Sequence, residues 1–259
     1  MLVNIQREQG RHEQIDVVLV SPRNPLNIGA AARAMANFGF SRLSVVAPYA
    51  PHWREANSAV GAPEILTGAT ISDQLGDAVR HCTLVAGTGT LTYRKPEQRV
   101  VQLPLLPSLI REELARGGRI ALVFGSEKHG LTREDLTYCH VLVEIPTDAR
   151  QPSMNLGQAV AVCLYELAAH SSVCETGTQK ETEARPNAPS RIATSGELDV
   201  LAHVIEQVME AAHYSPASMR DANRHDVRLL LRRLAPSKND IRRILGLFRR
   251  VLWRLQRKA

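Results

Sequence analysis

The chain has 259 residues and a mass of 28.6 kDa, with 44% hydrophobic, 22% charged and only 4% aromatic residues. That length holds one full α/β domain with a smaller appendage, or two modest domains. The formal net charge of +6 and a pI near 9.4 suit an acidic partner such as nucleic acid. No apolar run approaches the ~18–20 residues of a membrane span, and the start MLVNIQREQGRHEQ has no apolar secretory core. The four cysteines (Cys82, Cys139, Cys163, Cys174) are widely spaced with no Cys-x-x-Cys pair, so neither a disulfide framework nor a metal site is expected. The composition predicts a cytoplasmic protein with reduced thiols.

Five short, nearly all-apolar runs predict strands covered on both faces: Ile15 to Val20, Leu43 to Ala47, Thr83 to Ala86, Ile120 to Phe124 and Val141 to Ile145. Helices are expected between them, over Gly29 to Phe38 with Gly39 as a stop, Leu75 to His81, and Leu109 to Arg116. Alternation of this kind argues for an α/β fold with a mostly parallel sheet. A further helix spans Asn155 to Ala169, with Leu156, Val160, Cys163, Leu164 and Leu167 on one face. Residues 171–196 are polar and without periodicity, and they read as a linker. Beyond them the pattern is helical. Leu198, Leu201, Val204, Ile205, Val208 and Met209 make one stripe, and Val227, Leu230, Leu231 and Leu234 a second. A third helix is expected from Ser237, with Asp240 completing a capping-box variant. The expected domains are therefore an α/β domain over 1–170, the linker, and a small C-terminal helical module over 197–259.

The positive charge is not spread evenly. Residues 220–259 hold 13 Lys/Arg against three Asp, a net of +10, and the rest of the chain carries −4. At ~100° per residue, Arg242, Arg243, Arg249, Arg250, Arg254 and Arg257 share an arc of about 140° on the last helix, with Trp253 in their midst. An aromatic ring among guanidinium groups suits RNA, stacking a base while phosphates are held around it. The alternative is a solvated face whose Trp packs on a neighbour or on a second subunit.

Three segments near strand ends can carry chemistry, since open α/β sheets bind ligands at the carboxyl ends of their strands. In Asn24-Pro-Leu-Asn27-Ile-Gly29-Ala-Ala-Ala-Arg33, Asn27 suits an N-cap or a polar contact at a helix start. Arg33 is either a substrate contact among small alanines or a surface arginine. In Gly125-Ser-Glu127-Lys-His-Gly130, two glycines bracket a carboxylate; the loop can press backbone groups against a flat ligand, but it is not a phosphate-binding glycine loop. Thr88-Gly89-Thr90 offers another wall. In Pro152-Ser153-Met154-Asn155, Ser153 and Asn155 sit at a helix start, where simple capping would also explain them.

Taken in order, Asn27-x-Gly29-x-x-x-Arg33, Gly125-x-Glu127-x-x-Gly130 and Ser153-x-Asn155 resemble the three motifs of the SpoU (TrmH-like) branch of the SPOUT RNA methyltransferases, over residues 15–168. Leu-Val-Phe-Gly-x-Glu before Gly130-Leu-Thr, Ser153-Met-Asn-Leu, and a basic helical extension at the C-terminus are similar to the TrmJ subgroup. The resemblance implies a trefoil knot in the α/β domain that forms a pocket for S-adenosyl-L-methionine. It also implies a homodimer sharing site residues, and 2′-O-methylation of RNA, with the first nucleotide of the tRNA anticodon loop as target. Carried onto this chain, Thr88, Gly89, Thr90, Gly125, Ile145, Pro152, Ser153 and Met154 would bind the cofactor. Arg33 would act on the 2′-hydroxyl, with Asn27, Glu127, Ser153 and Asn155 positioning the reactants. Rival readings are methylation of rRNA or of another tRNA position, a non-catalytic RNA-binding factor, and a nucleotide-dependent oxidoreductase. The last lacks the Gly-x-Gly-x-x-Gly fingerprint.

Overall fold

The computed structural model describes residues 12–50, 52–55, 61–89, 96–171 and 192–257. Its strands are β1 (Ile15–Val20), β2 (Leu43–Val46), β3 (Thr70–Ser72), β4 (Leu84–Thr88), β5 (Arg99–Gln102), β6 (Ile120–Phe124) and β7 (Val141–Glu144). They form one sheet in the order β3-β2-β1-β6-β4-β7-β5, with every neighbouring pair parallel. The five expected strands are all present. β3 and β5 were not expected, and they are the two edges of the sheet, short and largely exposed. An edge strand needs no continuous apolar run, so no such run marks it.

Six helices belong with this sheet: α1 (Pro25–Asn37), α2 (Pro63–Thr67), α3 (Leu75–Val79), α4 (Leu106–Ala115), α5 (Arg133–Thr137) and α6 (Leu156–Ser171). Alternate residues of β1 feed two cores. Ile15, Val17 and Leu19 meet α1, α4 and α6 on one face, while Val18 and Val20 meet α3 and Tyr138 on the other. α1 starts four residues earlier than its expected Gly29, because Asn24 caps it by accepting from Leu26 N at 2.9 Å and Pro25 pre-sets the first turn. Asn27 is therefore not the cap. It lies in the first turn, with its side chain released for other bonds.

One carboxylate is buried in β1. Asp16 faces Arg42 Nε at 2.5 Å, His81 Nε2 at 2.6 Å and Arg119 at 3.4 Å, close to the Cys82 thiol. Burial raises its pKa, but the His81 and Arg42 contacts outweigh that and leave it below the ordinary carboxylate value. Asp16, His81 and Cys82 are ligand types for a metal. Two guanidinium groups already occupy the carboxylate, however, so the cluster reads as an ion-pair network at the amino ends of the strands.

The C-terminal helices are α7 (Ser195–Ala211), α8 (Arg220–Leu234) and α9 (Lys238–Gln256). α9 begins with the expected capping box, Ser237 and Asp240 bonding reciprocally. Leu198, Leu201, Ala202, Leu231 and Ile241 form a small core of their own. The module is docked on the α/β domain. Ser195 N and Gly196 N donate to the carbonyls of Cys82 and Arg80 at 2.8 and 2.9 Å. The guanidinium groups of Arg228 and Arg232 lie 4.7 and 5.4 Å from the Tyr138 ring centroid. Most of the segment expected to be a linker, residues 172–191 with Cys174, lies outside the described residues.

Candidate active site

Because the sheet is parallel, the carboxyl ends of β1, β6, β4 and β7 stand side by side along one edge, and their loops make the site. Glu127, in the loop after β6, accepts from Arg23 N at 2.9 Å, Asn24 N at 3.1 Å and Asn27 Nδ2 at 2.8 Å. Asn27 Oδ1 in turn accepts from Asn155 Nδ2 at 3.0 Å. Asn155 Oδ1 caps α6 by accepting from Gly157 N at 2.9 Å. A single relay thus runs from the β1–α1 turn through Glu127 and Asn27 to the start of α6. Capping is part of what Asn155 does, but the bond to Asn27 lies beyond it. Burial raises the Glu127 pKa; the Asn27 amide and the backbone N–H groups around it overcome this and hold it below the usual range.

Beside the relay lies a cleft walled by the loops after β4, β6 and β7. Thr88, Gly89, Gly125, Ile145, Pro152, Ser153 and Met154, expected as cofactor contacts, all line it, as does Glu127. Thr90 lies outside the described residues. Leu131, Leu136, Leu142 and Leu156 also line the cleft, and sequence reasoning missed them because their signal is that of ordinary core residues. Gly125 is required by close approach: a Cβ there would sit 2.1 Å from the Gly130 carbonyl carbon and 2.2 Å from Leu131 N. Gly130 has φ +64°, and its N–H closes the turn onto Ser126 O at 2.8 Å. The cleft combines backbone groups and apolar side chains with carboxylates at Glu127 and Glu144 and the basic side chains Lys128 and His129. That mixture of apolar walls, backbone groups and a few polar side chains fits a flat heterocycle bearing hydroxyls.

Arg33 is exposed on α1 and is not among the cleft-lining residues. It shares a helix face with Leu26, which is 55% exposed. Val162 and Tyr165 are exposed on α6, the helix packed against α1. On α9, Arg242, Arg243, Arg249, Arg250, Arg254 and Arg257 are exposed as expected. Trp253 is not a bare ring, because the guanidinium groups of Arg250 and Arg257 each lie 4.2 Å from its centroid. Burial pushes the thiols of Cys139 and Cys163 up to about 12, which removes them as nucleophiles.

The SpoU rRNA Methylase family matches residues 14–165. The chain is 34% identical over 244 residues to the tRNA (cytidine/uridine/adenosine-2'-O-)-methyltransferase TrmJ of Pseudomonas aeruginosa, covering 91% of this chain and 92% of that one. It is 37% identical over 155 residues to the tRNA (cytidine-2'-O-)-methyltransferase TrmJ of Methanocaldococcus jannaschii, covering 59% and 66% of the two chains. Among solved structures, TrmJ from Z. mobilis superposes with a TM-score of 0.77 at 26% identity, over 91% of this chain and 98% of that one.

Proposed function

The chain belongs to the SpoU rRNA Methylase family, and we propose that it transfers a methyl group from S-adenosylmethionine to a tRNA ribose 2′-hydroxyl, at the first nucleotide of the anticodon loop. The observation that carries this reading is the Asn155–Asn27–Glu127 relay, which ties three distant segments together beside an apolar, backbone-lined cleft. TrmJ relatives named as tRNA 2′-O-methyltransferases support the choice of tRNA. A trefoil knot around the cleft belongs to the same proposal. It suits a sheet in which β6 is inserted between β1 and β4, and β7 between β4 and β5.

The chemistry supplied by the cofactor is an electrophilic methyl on a sulfonium sulfur. Thr88, Gly89, Gly125, Ile145, Pro152, Ser153 and Met154 would hold it, largely through backbone groups. Catalysis then rests on aligning the ribose oxygen with that methyl and on handling one proton. Asn27, Glu127, Ser153 and Asn155 position the reactants. Arg33 carries a guanidinium, which does not give up its proton in proteins, so it stabilises the developing alkoxide and clamps a phosphate, while a neighbouring group or water accepts the proton. Its exposed place on the helix face of Leu26, packed against a helix that exposes Val162 and Tyr165, supports a homodimer in which these helices meet a partner and Arg33 serves a shared site. No helix among the described residues is long and apolar enough to cross a membrane, and a tRNA substrate supports a cytoplasmic location.

The arginine face of α9 binds RNA in this reading. The test is incubation with labelled cofactor and separate tRNA and rRNA pools, followed by mapping of the methylated nucleotide. Label is expected in tRNA, and the Arg249→Glu/Arg250→Glu variant is expected to raise the KM for RNA at least tenfold with cofactor affinity unchanged. Label confined to rRNA would overturn the substrate, and no label in any RNA would leave a binding factor. An unchanged KM in the variant would remove α9 from the interface.

The cleft itself makes a second prediction. Gly125→Ala drives a methyl into the Gly130–Leu131 backbone, so the turn must open. Cofactor affinity, measured by calorimetry, is expected to fall at least tenfold. Gly246→Ala, on α9 outside the cleft and with nothing within 4 Å of the added methyl, provides the contrast.

A further inference from the structure

Two residues in left-handed backbone conformations flank the site, and neither is glycine. Ser21, just past β1, has φ +47°, and Ala47, just past β2, has φ +43°. Left-handed backbone is disfavoured for a residue that carries a Cβ. Their strands are neighbours, and the two turns are tied together: Ser21 N donates to Val46 O at 2.8 Å, and Tyr49 N donates to Pro22 O at 3.1 Å. The outcome is a pairing of Arg23 with Tyr49, the guanidinium lying 4.7 Å from the ring centroid. Tyr49 is 72% exposed, so the pair adds little to the core. Exposed cation–π contacts are weak stabilisers. The same loop is bolted to the proposed reaction centre, because the Arg23 backbone N–H donates to Glu127.

We infer that Arg23 and Tyr49 form an RNA-contacting clamp at the rim of the site, taking an unpaired nucleotide next to the one that reacts. One face of the Tyr49 ring carries the guanidinium, and the exposed remainder stacks the base. Arg23 reaches the adjoining phosphate. The chemistry favours RNA over a protein partner: an exposed ring with a cation on it suits a base and its phosphate. A fixed cation beside the site also matters in a chain whose first 219 residues carry −4. The clamp rests on the RNA methyltransferase reading and deepens it, since it names residues outside the three motifs that select for a single-stranded substrate.

The test uses the full-length chain, unmodified tRNA, and the variants Tyr49→Ala, Tyr49→Phe and Arg23→Ala; the last keeps the backbone N–H to Glu127. Tyr49→Ala and Arg23→Ala are each expected to raise the tRNA Kd and KM roughly 5- to 100-fold, the span of base–aromatic stacking losses. Cofactor affinity and melting temperature are expected to hold, and Tyr49→Phe is expected to stay within about twofold because it keeps the ring. Unchanged Kd and KM in both alanine variants of an active enzyme would overturn the clamp alone, as would Tyr49→Phe failing like Tyr49→Ala. A wild-type protein that neither binds nor methylates tRNA would overturn the tRNA reading together with the clamp.

Discussion

Asn27→Asp, an exchange of one NH2 group for an oxygen, is expected to slow methyl transfer by on the order of 10²-fold while the chain stays folded. In the wild type the Asn27 amide nitrogen donates to Glu127 and its oxygen accepts from Asn155. The aspartate keeps the second bond and loses the first. It also sets a second anionic oxygen where the donor stood, 2.8 Å from Glu127 Oε1. Two carboxylates at that distance cannot both ionise freely, so the pair takes up a proton at a higher pH than Glu127 does in the wild type. Misplacing the reacting groups by even an ångström is enough for a loss of this size. The pH dependence separates this cause from general damage. In the wild type the Glu127 pKa lies below its ordinary value, so the relay is intact at neutral pH and weakens as pH falls through that lowered value. In the variant a shared proton restores the bridge, so the single-turnover rate is expected to rise as pH is lowered from neutrality, opposite to the wild type. Asn27→Ala, which removes both bonds without adding charge, is expected to lose rate without that inverted profile. Wild-type turnover in Asn27→Asp would separate the relay from catalysis.

The parts of this site that sequence makes legible are those encoded locally. Central strands announce themselves as apolar runs because both of their faces are covered. Ser237 and Asp240 announce a helix start because the cap is a contact three residues long. The relay is different. Its residue types stand in the sequence, but its bonds join positions 100 and 128 apart, and spacing says nothing about which amide meets which carboxylate. Without the family resemblance, Asn155 would have remained a cap. The strained turns at Ser21 and Ala47 had no local signal either: left-handed backbone is usually betrayed by glycine, and here tertiary hydrogen bonds impose it on other residues. The opposite error is possible with charge. A run of arginines reads as a solvated face, yet one arginine of the basic tail is buried and holds two parts of the molecule together.

That residue is Arg232, 3% exposed on α8, and Arg232→Ala is expected to destabilise the protein by about 3–5 kcal/mol. Its Nη2 donates to Asp199 at 2.9 Å and to Ser195 Oγ at 3.1 Å, which fixes α8 to the start of α7. Ser195 N in turn holds the Cys82 carbonyl of the α/β domain. The same guanidinium lies over Tyr138, which closes the far side of α5. Truncation leaves Asp199 without its cation and opens a void above the Tyr138 ring, and loss of one partner from a buried pair is among the costlier single changes. For a chain of this size the melting temperature is expected to fall by roughly 6–20 °C. Arg233→Ala, one position along the same helix but exposed, is expected to change stability by less than about 0.5 kcal/mol, so the contrast isolates burial from charge. The damage is also expected to reach the site. α5 lies between α8 and the cleft, with Glu134 paired to Arg228 at 3.6 Å and Leu136 lining the cleft wall. Loosening α8 frees that wall, and cofactor affinity is expected to weaken in Arg232→Ala even well below its melting temperature. If calorimetry finds wild-type affinity in a destabilised Arg232→Ala, the helical module is a cover for the α/β domain and takes no part in shaping the cleft.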